Sequence, residues 1–160
     1  ITKGTDMGWP YTYYDGVKKV RLVAPDYGGV GKTSPTENYY ATPVAAFAPQ
    51  RPAVLDLTFY SGSQFPAKYR NGAFIVFHGS WNRAPMPQDG YNVTFQPFAN
   101  GKPSGDFEIF AKGFPGKSPL MNPGDADYRP DGVAQAPDGS LYISDSEKGR
   151  IWRVMYTGGK

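Results

Sequence analysis

The sequence predicts an all-β fold of short antiparallel strands, and three observations carry that expectation. Glycine and proline are frequent, 20 and 16 of 160 residues, enough to supply a turn every few residues. No window of about ten residues keeps an apolar period of 3.6, so long helices are not expected. A turn, a short apolar run and a polar end also occur twice. Asn71-Gly72 precedes Ala-Phe-Ile-Val-Phe-His at 73–78, and Asp138-Gly139 precedes Ser-Leu-Tyr-Ile-Ser-Asp at 140–145. Repetition of antiparallel units is the plan of a β-propeller, with a β-sandwich as the rival arrangement.

Each element follows from its local pattern. Residues 1–16 contain Gly8-Trp9-Pro10-Tyr11-Thr12-Tyr13-Tyr14 and read as an aromatic loop punctuated by proline. Residues 17–23 read as a brief strand. The stretch 24–54 is rich in Pro, Gly, Ser, Thr and Asn and reads as a long irregular connection, so 1–54 forms a loop-rich leading region. A first blade is expected over 55–112. Leu55–Tyr60 alternates with period two, Ala73–His78 is apolar on both faces, and Tyr91–Gln96 and Asp106–Lys112 alternate again. The unit then restarts over 132–156, with strands at Gly132–Ala136, Ser140–Asp145 and Gly149–Tyr156.

The second strands of the two units begin at residues 73 and 140, further apart than the ~40–50 residues of an ordinary blade. Insertions at 84–89 and 113–129 absorb the excess. A third strand without a fourth would leave an unpaired edge, which soluble proteins avoid. The opening Ile-Thr-Lys-Gly-Thr-Asp has neither an initiator Met nor a signal-peptide pattern, so the start reads as internal. Residues 1–160 are therefore expected to be the C-terminal part of one propeller domain, roughly its last two to three blades. The remaining blades would be attached covalently or supplied by a second chain.

Charge and composition exclude several functions. The formal net charge is +3, and the basic residues are scattered, with only Lys18-Lys19 adjacent, so no nucleic-acid stripe is formed. There is no cysteine, which removes disulfides, thiolate metal sites and a thiol nucleophile. No run of about 18 apolar residues is present, so no membrane span is expected. One histidine cannot build a multi-histidine centre, so any metal would take oxygen ligands, as calcium does.

The strongest candidate site is His78-Gly79-Ser80-Trp81-Asn82-Arg83, where a strand ends in a polar and aromatic cluster. An imidazole suits proton transfer near neutral pH, a guanidinium can hold a carboxylate bidentately, and an indole offers a flat apolar wall. The alternative makes His78 a hydrogen-bonded strand end and Arg83 a surface ion-pair partner. Arg129-Pro130-Asp131-Gly132 leads into the second unit, with Arg129 either over the central opening or paired to Asp127 or Asp131. Trp9 and Tyr11, with Tyr13 and Tyr14, are candidates for a stacking wall against a sugar or a flat cofactor, or for simple packing on a neighbouring blade. Pro137-Asp138-Gly139 and Asn71-Gly72 read as turn chemistry, and Asp145 as a carboxylate that caps a turn. The sequon Asn92-Val93-Thr94 falls inside an expected strand and reads as a chance match.

Several of these motifs together resemble the sorbosone dehydrogenase family, quinoprotein relatives of the soluble aldose sugar dehydrogenases. The residues are Gly8-Trp9-Pro10-Tyr11, Leu57-Thr58-Phe59-Tyr60-Ser61-Gly62, Gln64-Phe65-Pro66, Phe77 through Arg83, Gly90-Tyr91, Gly113-Phe114, Arg129-Pro130, Pro137 through Asp145, and Gly149 through Arg153. The likeness covers nearly the whole chain apart from 17–46. It implies a six-bladed propeller that holds pyrroloquinoline quinone (PQQ), usually with calcium, and oxidises a sugar or sugar aldehyde in the periplasm or after secretion. Electrons would pass to a cytochrome or dye. It implies His78 as the base, Arg83, Arg129, Trp81 and Asn82 as cofactor contacts, and Trp9 and Tyr11 as substrate contacts; metal ligands stay unassigned. One departure is that the family commonly has a histidine in the context Ala-His-Xaa-Ala-Pro where this chain reads Ala48-Pro49-Gln50-Arg51-Pro52-Ala53. Other readings are a non-catalytic propeller segment that binds carbohydrate or a protein partner, and a calcium-using lactonase.

Overall fold

A computed structural model describes residues 3–34, 40–41 and 53–158. The region where the family commonly has a histidine and this chain has none, 48–52, lies outside the described residues, as does much of the irregular connection. Two compact units divide the chain, Ile1–Pro49 and Gln50–Lys160.

In the first unit, β1 (Thr12–Asp15) and β2 (Val20–Val23) form an antiparallel hairpin with Thr12 opposite Val23 and Asp15 opposite Val20. Residues 12–15 form a strand and not the aromatic loop expected, because Thr-Tyr-Tyr is good strand material once β2 offers a ladder. Asp15 closes the turn by accepting the N–H groups of Val17 and Lys18 at 2.9 and 3.0 Å. The centre of this unit is polar. Arg21 is 1% exposed and donates to the carbonyls of Met7 and Ala41, both at 2.7 Å, and to Thr12 Oγ1 at 3.2 Å.

The second unit holds two antiparallel sheets. The first consists of β3 (Val54–Phe59), β4 (Gly72–Phe77), β5 (Asn92–Ala99), the two-residue β6 (Lys102–Pro103) and β7 (Glu108–Ala111). Pairing runs β3-β4-β5, with β6 and β7 both on β5. The four strands expected over 55–112 are present, with β6 as an additional short arm of the 99–102 turn. The second sheet is β8 (Pro130–Gln135), β9 (Leu141–Asp145) and β10 (Ile151–Val154), in the order β8-β9-β10. No α-helix occurs among the described residues.

All six residues of β4 are buried, as an apolar strand between two partners requires. Phe74, Val76, Val93 and Phe95 of the first sheet meet Val133, Leu141 and Ile143 of the second in one core. Phe74 is its hub, with ring centroids of Tyr60, Tyr69, Phe95 and Phe110 at 4.6–5.8 Å. Polar ties fix the two sheets to each other. Tyr60 Oη donates to the Gly139 carbonyl at 2.9 Å, and Asp56 Oδ2 accepts the Val133 N–H at 2.9 Å, where β8 departs from regular register.

The two expected turns differ in mechanism. At Asp138-Gly139, Gly139 takes φ +84° and Asp138 accepts both the N–H and the hydroxyl of Ser140. At Asn71-Gly72 the positive φ, 58°, belongs to Asn71. Gly72 is required instead by packing, since a Cβ there would lie 2.1 Å from the Phe95 ring. Thr94 of the sequon is 1% exposed within β5.

Candidate active site at the strand ends

β4 ends at Phe77, so its continuation His78-Gly79-Ser80 leaves the sheet beside the chain that leads into β8. Gly79 makes this exit possible. It takes φ +97°, and a Cβ would lie 2.3 Å from the Tyr91 ring. Tyr91, 2% exposed, lies under the exit and donates its hydroxyl to the Ser80 carbonyl at 2.6 Å. The loop between them is closed by Ser80, whose N–H donates to the Asp89 carbonyl and whose hydroxyl donates to Gln88 Oε1, each at 2.8 Å.

Arg129 lies on this platform. Its guanidinium carbon is 5.5 Å from the Tyr91 ring centroid, and its side chain is 15% exposed. Nε donates to the His78 carbonyl at 3.4 Å and Nη2 to the Gly79 carbonyl at 3.5 Å. Nη1 is 3.7 Å from Glu147 Oε1, so its acidic partner is Glu147 rather than Asp127 or Asp131. Asp127 instead pairs with Lys148 at 3.4 Å. The imidazole of His78 is half-buried, with Nε2 2.8 Å from Ser146 Oγ. Burial first, and then the Arg129 charge, push its pKa below 6.5. His78 is therefore neutral at pH 7 and able to accept a proton.

One turn organises both groups. Asp145 ends β9, is 6% exposed, and accepts the backbone N–H of Arg129 at 2.6 Å, of Glu147 at 3.2 Å and of Lys148 at 2.8 Å. That fixes 145–148, which presents Ser146 to His78 and Glu147 to Arg129. Asp145 thus caps a turn and has both carboxylate oxygens occupied.

The structure brings His78 and Arg129 together. Arg83 is turned into its own loop, where Nη1 lies 3.3 Å from Asp89 Oδ2, and no contact joins it to His78 or Arg129 among the described residues. Trp81 is 69% exposed, and Asn82 is exposed beside it. Trp9 (85% exposed) and Tyr11 (56%) belong to the first unit, where Tyr11 meets Tyr27 edge-on at 4.9 Å. Sequence reasoning missed Ser146, Glu147 and the platform role of Tyr91. Only Gly90-Tyr91 left a trace, as part of a motif without an assigned task.

A concave region of about 610 Å³ lies at the opposite end of β4, lined by Phe59, Asn71, Phe98 and Asn100 among others. It has neither His78 nor a charged side chain, so the strand ends around His78 remain the chemical centre. Among the described residues no group of three or more His, Asp or Glu side chains could hold a metal ion. None of their helices is long and apolar enough to cross a membrane.

A family model described as TrAA12-like matches residues 28–157. The chain belongs to the TrAA12-like family. AA12 is a family of PQQ-dependent oxidoreductases. Two solved structures of the Trichoderma reesei family AA12 carbohydrate-active enzyme share its fold. The calcium structure has a TM-score of 0.69 at 22% identity, and the iodide structure 0.70 at 21%. Each match covers 92% of this chain and 38% of the fungal one. An uncharacterized protein of Borreliella burgdorferi is 29% identical over 151 residues, 94% of this chain and 36% of that protein. The chain thus spans little more than a third of the length of these relatives.

Proposed function

We propose that this chain is part of a PQQ-linked sugar dehydrogenase. In this reading it oxidises an aldose or a sorbosone-like sugar aldehyde outside the cytoplasm, within a six-bladed propeller completed by further protein. The junction of a neutral His78 with Arg129 on the Tyr91 platform carries the reading. The donor set fits the cofactor. Arg129 is fixed in place yet makes only long contacts, at 3.4–3.7 Å, so a carboxylate of a planar anion can take over its fork. Arg83, once released from Asp89, would be a second such donor, with Trp81 and Asn82 at the rim. Trp9 and Tyr11 would offer flat surfaces to a sugar ring.

When bound, PQQ supplies the hydride acceptor. His78 takes the hydroxyl proton of the substrate, the anomeric hydroxyl of an aldose or one hydroxyl of a hydrated aldehyde, and its lowered pKa keeps it in the accepting form at neutral pH. Ser146 holds the imidazole in one orientation through Nε2. Arg129, beside the ring, disfavours the imidazolium form and so keeps His78 unprotonated before substrate binds. The described residues offer no cage for calcium, so no step here is assigned to it.

Reconstitution of the full-length protein with PQQ and calcium, followed by dye reduction with aldoses and sorbosone, tests the proposal. Turnover is expected, with His78→Ala lowering kcat about 10²–10⁴-fold while the cofactor still binds. Failure of the assembled protein to bind the cofactor would overturn the reading.

A further inference from the structure

The contacts of Arg129 have a pattern that cofactor binding alone does not explain. A carboxylate that grips an arginine fork does so at about 2.7–2.9 Å. Arg129 has its carboxylate partner, Glu147, at 3.7 Å, and its two carbonyl partners at 3.4 and 3.5 Å. The fork is engaged at every edge but tightly at none. The two sides of the ion pair also differ in freedom. Arg129 is 15% exposed and held against Tyr91, whereas the Glu147 side chain is 38% exposed and pairs with Arg129 alone among the ion pairs of the described residues.

The backbone below Glu147 does not need to move for that pair to open. Asp145 accepts the N–H groups of Glu147 and Lys148, and the Asp145 N–H donates to the Arg150 carbonyl at 2.9 Å. Only the rotatable bonds of one glutamate stand between the closed and open arrangements. A largely buried guanidinium needs a counter-charge while no ligand is present. A glutamate left in place beside an incoming carboxylate would repel it.

We propose that Glu147 is a displaceable internal carboxylate that occupies the Arg129 fork and yields it to a carboxylate of a planar anionic ligand. It holds the buried cation satisfied between binding events and lowers affinity enough for the ligand to exchange. That the ligand is PQQ rests on the function proposed above; the displacement itself requires only an aromatic polycarboxylate.

Titration calorimetry on the full chain and on Glu147→Gln, with PQQ and with benzene-1,3,5-tricarboxylate, separates the two ideas. Glu147→Gln is expected to tighten binding about three- to fivefold at low ionic strength, a gain that shrinks as salt screens the pair. Glu147→Ala should do the same, and in an Arg129→Gln background the gain should vanish. If both probes bind alike and weakly but Glu147→Gln tightens them, the displacement stands and the cofactor assignment falls. If PQQ binds tightly and neither Glu147 variant tightens it, the displacement is wrong and the cofactor assignment stands. Absence of binding by either probe to any variant overturns both.

Discussion

Asp145→Ala should be among the most damaging single substitutions outside the aromatic core. Its carboxylate is nearly inaccessible and accepts N–H groups from Arg129, Glu147 and Lys148. Hydrogen bonds to an ionised acceptor are worth about 1.5–3 kcal/mol each. Two of the three donors belong to exposed residues and regain water when released. The net loss is therefore roughly 3–4 kcal/mol, a drop in Tm of about 10 °C for a chain of this size. Acid provides the check on mechanism. Burial raises the Asp145 pKa, but the backbone donors Arg129, Lys148 and Glu147 together outweigh it, so the folded-state value lies below 3.8. A depressed carboxyl pKa contributes stability that is present above the unfolded value and is lost as pH falls through the folded one. Thermal melts of both proteins from pH 7 downward should show a gap that narrows only below about pH 4. A gap under about 3 °C at pH 7, or one that stays constant into acid, would refute the reasoning.

Other perturbations give distinct readouts. His78 should titrate below 6.5, and Arg129→Gln should return its midpoint partway toward the ordinary value, because burial persists; the sole imidazole signal in the proton NMR spectrum of this chain reports it. Since the unfolded chain binds that proton more readily, His78 makes stability rise with pH up to about 6.5 and diminish below it. Ser146→Ala should leave Tm within about 1 °C but shift the His78 resonances, and under the proposed function it should lower the kcat of the full-length protein more than it alters KM. Tyr91→Phe removes a buried 2.6 Å bond to the Ser80 carbonyl and should cost about 1–2 kcal/mol in urea unfolding. Phe74→Ala opens the hub of the core and should cost about 3–5 kcal/mol in the same assay.

What was legible in the sequence follows the range of the forces involved. Strands such as Gly72–Phe77 and Leu141–Asp145 were readable because burial marks consecutive residues, as an unbroken apolar run in the first and as alternation in the second, and both marks are local. β1 escaped because Pro10 and the flanking aromatics look like a loop until the ladder with β2 exists. The same limit divided the site. His78 and Arg129 were recognisable as chemistry-bearing types at strand ends, and Asp145 as a cap. Ser146 and Glu147 carry no signal of their own in Ser-Glu-Lys-Gly-Arg, a stretch that reads as an ordinary charged turn. They acquire a role because Asp145 binds the amide of Arg129 and the amides of its own turn at once, which joins the start of β8 to the end of β9. Arg83 shows the converse. Its place in His-Gly-Ser-Trp-Asn-Arg made it as prominent as Arg129, yet Asp89, six residues on in the same loop, takes up its charge. A motif specifies which groups a strand end can present, and the carboxylates packed against it decide which of them are free to bind. Here those carboxylates are Asp89 and Glu147, one on each arginine. Under the proposed function, the affinity for an anion at Arg129 depends as much on releasing the Glu147 pair as on the arginine itself.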